Sequence, residues 1–363
     1  MRYASIDLLR TVAIFVMVFV HFGENLAGYT PRFAGFGAPL FVFLSGASYF
    51  LWSDARLARG ATDEEVSKVS VRRGLFVFGA GFAFNLFVWL PEGIFNWDVL
   101  TFIGAALLFL NVARRMPRPT CVLVAVMAML VSPVLRRMAD YPAYWTNGYF
   151  ECDLTLSDVL VGFLSTGYFP IFPWIAFSLA GYVTASWLFA RPAPGLVGAP
   201  DPWRPARIGL ALAAASLALR FARPWLPEAI ASGMLGGWTM FPPTTEYVLG
   251  TLGMALALLS AAHRYIDLNP ASRRFAGVLS VAKAFSGFSL SIYVLHHLVH
   301  VWPLWAYGYS RTGEPTEYWG KAMGVGPSMA LAAAFLACCW LLLRVLGPDR
   351  RYGLERCMRW VCD

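Results

Sequence analysis

Charge is what this chain has least of. Asp, Glu, Lys and Arg make up 14% of its 363 residues, while AVILMFWYC make up 58%. A soluble domain carries about a quarter charged residues, so too few are present to cover a water-facing surface, and an integral membrane protein is expected. Cysteine is also sparse. The six, at 121, 152, 338, 339, 357 and 362, form no CxxC pair and no Cys/His spacing that makes a tetrahedral metal site. Only Cys152 falls in a loop placed outside, so no disulfide framework is implied. The chain has no GxSxG elbow and no GxxxxGK[ST] loop, which leaves hydrolase and ATPase chemistry without a motif. No repeat at a fixed period and no low-complexity segment is present.

What the chain does have is apolar runs bounded by Arg, Pro and Gly. About ten are long enough to count as spans: 8–28, 34–53, 74–91, 98–113, 120–136, 171–190, 208–227, 242–262, 285–305 and 324–346. The expected fold is therefore all-α, a polytopic transmembrane bundle forming a single domain over 1–363. The first run, after RYASIDLLR, is read as a span and not as a cleaved leader, because no small-x-small site follows it. The net charge of +8 would point to nucleic acid in a soluble protein. Here it follows the positive-inside pattern, so no nucleic-acid partner is expected. Twenty-two of the 29 Lys and Arg residues, among them Arg72, Arg73, Arg191, Lys283, Arg350 and Arg351, fall on the side that holds both ends of the chain. Both termini are thus expected in the cytoplasm, in a membrane of bacterial inner-membrane type. The longest outside loop, 137–170, is rich in Tyr, Trp and acids and is read as a substrate lid.

Polar residues inside spans carry the functional signal, because an ionisable group at membrane depth is costly and by default faces a wet cavity or the bundle interior. Arg10 and His21 lie eleven residues apart, three turns and a small remainder, so they share one helix face about 16 Å apart along the axis. A guanidinium at the cytoplasmic mouth suits a phosphate, and an imidazole deeper in suits proton transfer. Coenzyme A, with phosphates and thioester at opposite ends of an extended arm, fits that spacing. The plainer alternative is a snorkelling Arg10 and a His21 bonded to a carbonyl.

The string RTVAIFVMVFVH followed by LFVFLSG resembles the membrane-bound acyltransferase type-three family. The wider set SIDLLRTVAIFVMVFVH, GAPLFVFLSG, VRRG, GYFPIFPW and FSLSIYVLHH resembles its relative, the heparan-α-glucosaminide N-acetyltransferase catalytic domain. The resemblance implies an enzyme that passes an acyl group, commonly acetyl, from cytoplasmic acetyl-CoA to a carbohydrate or glycolipid across the membrane. It implies Arg10 and His21 as the essential pair and puts His296 on the family's late YxxH string. His21 stands where the glucosaminide branch often has Asn, which leaves the identity of the base open.

The remaining candidates have paired readings. Ser45 and Gly46 serve helix packing or open backbone beside the thioester. Arg72, Arg73 and Lys283 complete a phosphate rim or are plain anchors. Asp98 and Asp158 bind the acceptor or sit at the interface. Trp174 stacks on a sugar or joins the aromatic belt. Tyr293, His296, His297 and His300 share one span, and His296 is assigned to orient the acceptor or to the chemistry. Histidines at i and i+4 without a carboxylate or thiol in sequence are a weak metal signal, so no metal cofactor is expected. Expected partners are acyl-CoA, the acceptor and membrane lipid, with a homodimer left open. The competing class is a transporter using the same Arg and His residues as a proton or anion relay, disfavoured by the missing repeats.

Overall fold

The computed structural model describes residues 2–89, 93–189, 201–346 and 352–363; Arg191, Arg350 and Arg351 lie outside them. The helices are α1 Ala4–Ala27, α2 Ala34–Leu57, α3 Asp63–Val88, α4 Val99–Ala113, α5 Arg118–Met138, α6 Leu156–Val161, α7 Ile171–Leu188, α8 Arg204–Ala222, the short α9 Glu228–Ile230, α10 Thr245–Ala262, α11 Ala276–Gly287, α12 Ser289–Thr312, α13 Val325–Leu346 and α14 Leu354–Cys362. Each of the ten apolar runs is helical. Among the described residues, eight helices are long and apolar enough to cross a membrane. The ninth run is not one straight span: it is two helices, α11 and α12, meeting at Phe288 with a 76° bend between the segments Pro270–Gly287 and Ser289–Thr312. The fourth is α4, whose 15 residues extend only about 22 Å, short of the ~30 Å hydrocarbon core. Among the described residues the expected ten spans thus correspond to eight helices of sufficient length and apolar composition, or nine with the bent pair counted as one span.

The chain folds as two compact units. The first comprises residues 1–6, 42–269 and 362. Its helices approach closely where side chains are missing. A Cβ on Gly46 of α2 would lie 1.9 Å from the Ser178 carbonyl oxygen of α7, and one on Gly181 would lie 1.9 Å from that of Phe43. A Cβ on Gly209 of α8 or on Gly253 of α10 would likewise lie 2.4 Å from the other glycine's carbonyl oxygen, and one on Gly104 of α4 would lie 2.4 Å from the Phe78 backbone nitrogen of α3. Small residues at crossings are how helices pack where burial in lipid supplies no drive. α7 is the most enclosed span, with 83% of its apolar window buried against 22% for α8. The remaining apolar faces, such as Leu123 and Leu130 of α5 and Leu210 and Leu217 of α8, are exposed and suit contact with lipid.

Gly46→Ala is expected to destabilise the protein by about 1–3 kcal/mol, the usual cost of overpacking a tight contact, because the obstacle is backbone and cannot rotate away. Thermal unfolding in detergent of Gly46→Ala beside Gly79→Ala, where a Cβ meets nothing within 4 Å, measures the difference; equal midpoints would show that the crossing adjusts.

The loop 137–170 is built, not loose. A hairpin pairs β1 Trp145–Thr146 with β2 Tyr149–Phe150. Its turn residues Asn147 and Gly148 both have positive φ, 54° and 84°, as a two-residue type I′ turn requires. Trp145 stacks on Tyr141 and Phe241 and donates from Nε1 to the Thr166 carbonyl at 2.8 Å.

The second unit comprises residues 7–41, 270–361 and 363. Ile14, Val18, Phe22 and Leu26, spaced by four along α1, form a stripe that packs with Phe285, Ile292, Leu304 and Phe335. Gly37 brings α2 against Val16. The bend at Phe288 exposes the first amides of α12, and Glu355 of α14 takes them. Its Oε1 accepts from Leu290 N at 2.7 Å and Ser291 N at 3.0 Å, and its Oε2 accepts from the Ser291 hydroxyl at 2.5 Å. A carboxylate there answers both the orphan donors and the positive helix end.

Candidate functional site

The second unit gathers the polar residues of α1, α11 and α12. At one end Arg10 Nη1 donates to the Ser286 hydroxyl of α11 at 3.2 Å. The next residue of α1, Thr11, donates from Oγ1 to the Ala282 carbonyl at 2.9 Å. Lys283 lies three residues before Ser286 on α11, so a lysine and the serine that holds Arg10 share that helix surface.

Further along α1, His21 meets the histidines of α12. Its ring centroid is 4.6 Å from that of His297 and 5.4 Å from that of His296. The nitrogens that His21, His296 and His297 offer lie within 4.8 Å of one another. Tyr293 packs edge-on against His296 and His297 at 5.7 and 5.8 Å.

The backbone fixes two tautomers. A carbonyl oxygen can only accept, so His296 Nδ1, 3.1 Å from the Ile292 oxygen, carries a proton, as does His300 Nδ1, 2.5 Å from the His296 oxygen. For His300 the Nε2 lone pair is then taken by the Asn25 amide at 2.8 Å. For His296 the Nε2 lone pair is buried without a hydrogen-bond partner among the described residues. His296, His297 and His300 are 0%, 1% and 4% exposed, whereas the His21 side chain is 32% exposed, with Glu24 Oε2 4.0 Å from its Nδ1. Asn25 and Ser286 are the polar partners that sequence reading omits. Asn25 carried a usable signal, being four residues from His21 on one helix face.

Residues 2–219 match the model of the family described as heparan-alpha-glucosaminide N-acetyltransferase, catalytic. The chain belongs to that family. The match covers Arg10, His21 and Asn25 of this membrane acyltransferase and ends before the histidines of α12. A comparison with curated proteins gives no match.

The other candidates of the acyltransferase belong to the first unit, and most have local work there. The Ser45 hydroxyl donates to the Val42 carbonyl of its own helix at 2.6 Å, and Gly46 makes the crossing with α7; packing accounts for both. Arg73 stacks over the Trp52 ring at 4.7 Å, while Arg72 is exposed. Asp98 is the N-cap of α4, accepting from Leu100 N and Thr101 N at 3.1 and 3.0 Å. Its burial is explained without an acceptor. Trp174 is 0% exposed between Phe169 and Phe177, so its ring faces are covered by protein and neither a sugar nor the interface reaches them. Asp158 accepts from the Tyr144 hydroxyl at 2.8 Å and the Thr155 hydroxyl at 2.5 Å, and these bonds hold its carboxyl below the usual range. Burial first, then the bond to that carboxylate, pushes the Tyr144 phenol up to about 12. Asp158 thereby braces the 137–170 loop.

Proposed function

We propose that this family member transfers an acetyl group from cytoplasmic acetyl-CoA to a hydroxyl or amine of a carbohydrate or glycolipid on the opposite face of a bacterial cytoplasmic membrane, with His21 as general base. The observation that carries the reading is the contrast among the four clustered histidines. Only His21 is partly exposed, and it shares its helix with Arg10. Accessibility matters because a base must come within hydrogen-bond reach of the proton it takes.

In the proposed reaction the His21 lone pair takes the acceptor proton as the acceptor oxygen or nitrogen attacks the thioester carbonyl. The carbon–sulfur bond then breaks, and the imidazolium returns the proton to the departing thiolate. A transient acetyl on His21 would use the same lone pair. Arg10, held by Ser286, and Lys283 meet the donor's phosphates, where a planar guanidinium makes paired hydrogen bonds. His296 and Tyr293 pack the inner side of His21 and orient the acceptor. Membership of an acetyltransferase family weighs against the transporter alternative, which needs no acyl donor.

The test is reconstitution. In proteoliposomes supplied with labelled acetyl-CoA on one face and a panel of amino sugars and glycolipids on the other, label should appear on an acceptor across the bilayer. Binding of acetyl-CoA with no label on any acceptor or in water-hydrolysed product would count against acyl transfer.

A further inference from the structure

We infer that His21, His296 and His297 form a binding site for a divalent first-row transition ion of the zinc class. From sequence no metal is expected, because α12 alone offers no carboxylate or thiol beside its histidines. The fold changes that count by bringing a third imidazole from α1.

Four observations support the site. First, the three ligand nitrogens lie within 4.8 Å of one another. Around zinc at about 2.0–2.1 Å, tetrahedral nitrogens are roughly 3.4 Å apart, so ring rotations that close about 1.5 Å seat the ion. Second, the His296 tautomer is already set for it: Nδ1 is protonated against the Ile292 carbonyl, and the Nε2 lone pair is fully buried with no hydrogen-bond partner among the described residues. A buried acceptor left this way is costly, and a cation uses it. Third, an outer shell is present. Ligating histidines usually pass their other N–H to a carbonyl or carboxylate; His296 has the Ile292 carbonyl at 3.1 Å, and the Glu24 carboxylate, 4.0 Å from His21 Nδ1, lies beyond hydrogen-bond distance but near enough to offset a bound cation's charge. Fourth, His300 cannot compete, since its nitrogens are engaged by Asn25 and the His296 carbonyl.

Three neutral imidazoles select zinc, copper, nickel or cobalt over magnesium and calcium, which prefer oxygen. The accessible side of His21 leaves a fourth position for solvent or an anion. If His21 is the base of the proposed reaction, the bound ion occupies the same lone pair and inhibits transfer, so the ion acts as a brake and not as a cofactor.

The full chain, purified in detergent and stripped with a chelator, would be titrated with Co2+, followed by its visible absorption, and with Zn2+ by calorimetry. One ion per chain is expected, with bound Co2+ displaced by Zn2+. His296→Gln and His297→Gln should each weaken binding by more than about 100-fold, beyond the usual cost of outer-shell changes. No Co2+ band, or affinity unchanged from the native protein in both variants, overturns the site. Zinc-edge X-ray absorption of the unaltered protein settles the case without variants: scattering from three imidazoles supports the site, and fewer than three overturns it. Zn2+ that binds as expected but leaves acetyl transfer untouched supports the metal site and removes His21 from the chemistry, so the two readings fail separately.

Discussion

Replacing His21 by alanine should lower the turnover of acetyl transfer by about two to four orders of magnitude, the usual worth of a positioned general base, while acetyl-CoA binding stays within a few-fold. The split follows from position. The donor's phosphates would be held at the Arg10 and Ser286 end of α1, three helical turns away, so loss of the imidazole removes an interaction made in the transition state and leaves ground-state contacts in place. His296→Ala should lower turnover only in part, because His296 is fully buried beneath His21. Single-turnover transfer of labelled acetyl, with donor binding measured separately, distinguishes these. Near-normal turnover in His21→Ala beside a dead His296→Ala would reverse the assignment and put the chemistry on the buried His296 Nε2.

Arg10→Ala should weaken acetyl-CoA binding by roughly 10–100-fold, since a hydrogen bond to a charged group is worth about 1.5–3 kcal/mol. Arg10→Lys should recover little of it. The ammonium keeps the charge but lacks the planar fork that pairs with phosphate and reaches Ser286 at the same time. Ser286→Ala, which removes the hydroxyl 3.2 Å from Arg10 Nη1, should fall between the native protein and Arg10→Ala. Calorimetric titration of acetyl-CoA into the three variants tests the order, and unchanged affinity in both Arg10 variants would take Arg10 out of the donor site.

The fold class is legible because membrane helices declare themselves by run length and by where the arginines fall, and each of the ten runs is mainly helical over its described residues, the ninth as a bent pair. The site is legible only along single helices. Arg10 and His21 share a face by arithmetic, whereas nothing in the spacing of α12 says that His21 of α1 stands 4.6 Å from His297. The bend at Phe288 carries no proline to announce it. Two local signals were present in the letters. Asp98 before an apolar run is an N-cap pattern, and Asn147–Gly148 between aromatic residues is a hairpin turn; both outrank the acceptor-binding and unstructured-lid readings of those positions. Trp174 misleads for a different reason: a tryptophan beside prolines near a span end looks interfacial, and only packing reveals Phe169 and Phe177 against its faces.

The Glu355 contact gives the C-terminal helix leverage over the histidines. At the 76° bend the amides of Leu290 and Ser291 have lost their carbonyl partners one turn back, and without a substitute acceptor the cheapest remedy is for α11 and α12 to straighten into one continuous rod. Glu355 supplies that acceptor from α14, so the angled state meets its hydrogen-bond demand without straightening. The elbow is thus latched from the tail of the chain, and the direction in which His296, His297 and His300 project toward α1 is set by a carboxylate more than fifty residues away in sequence.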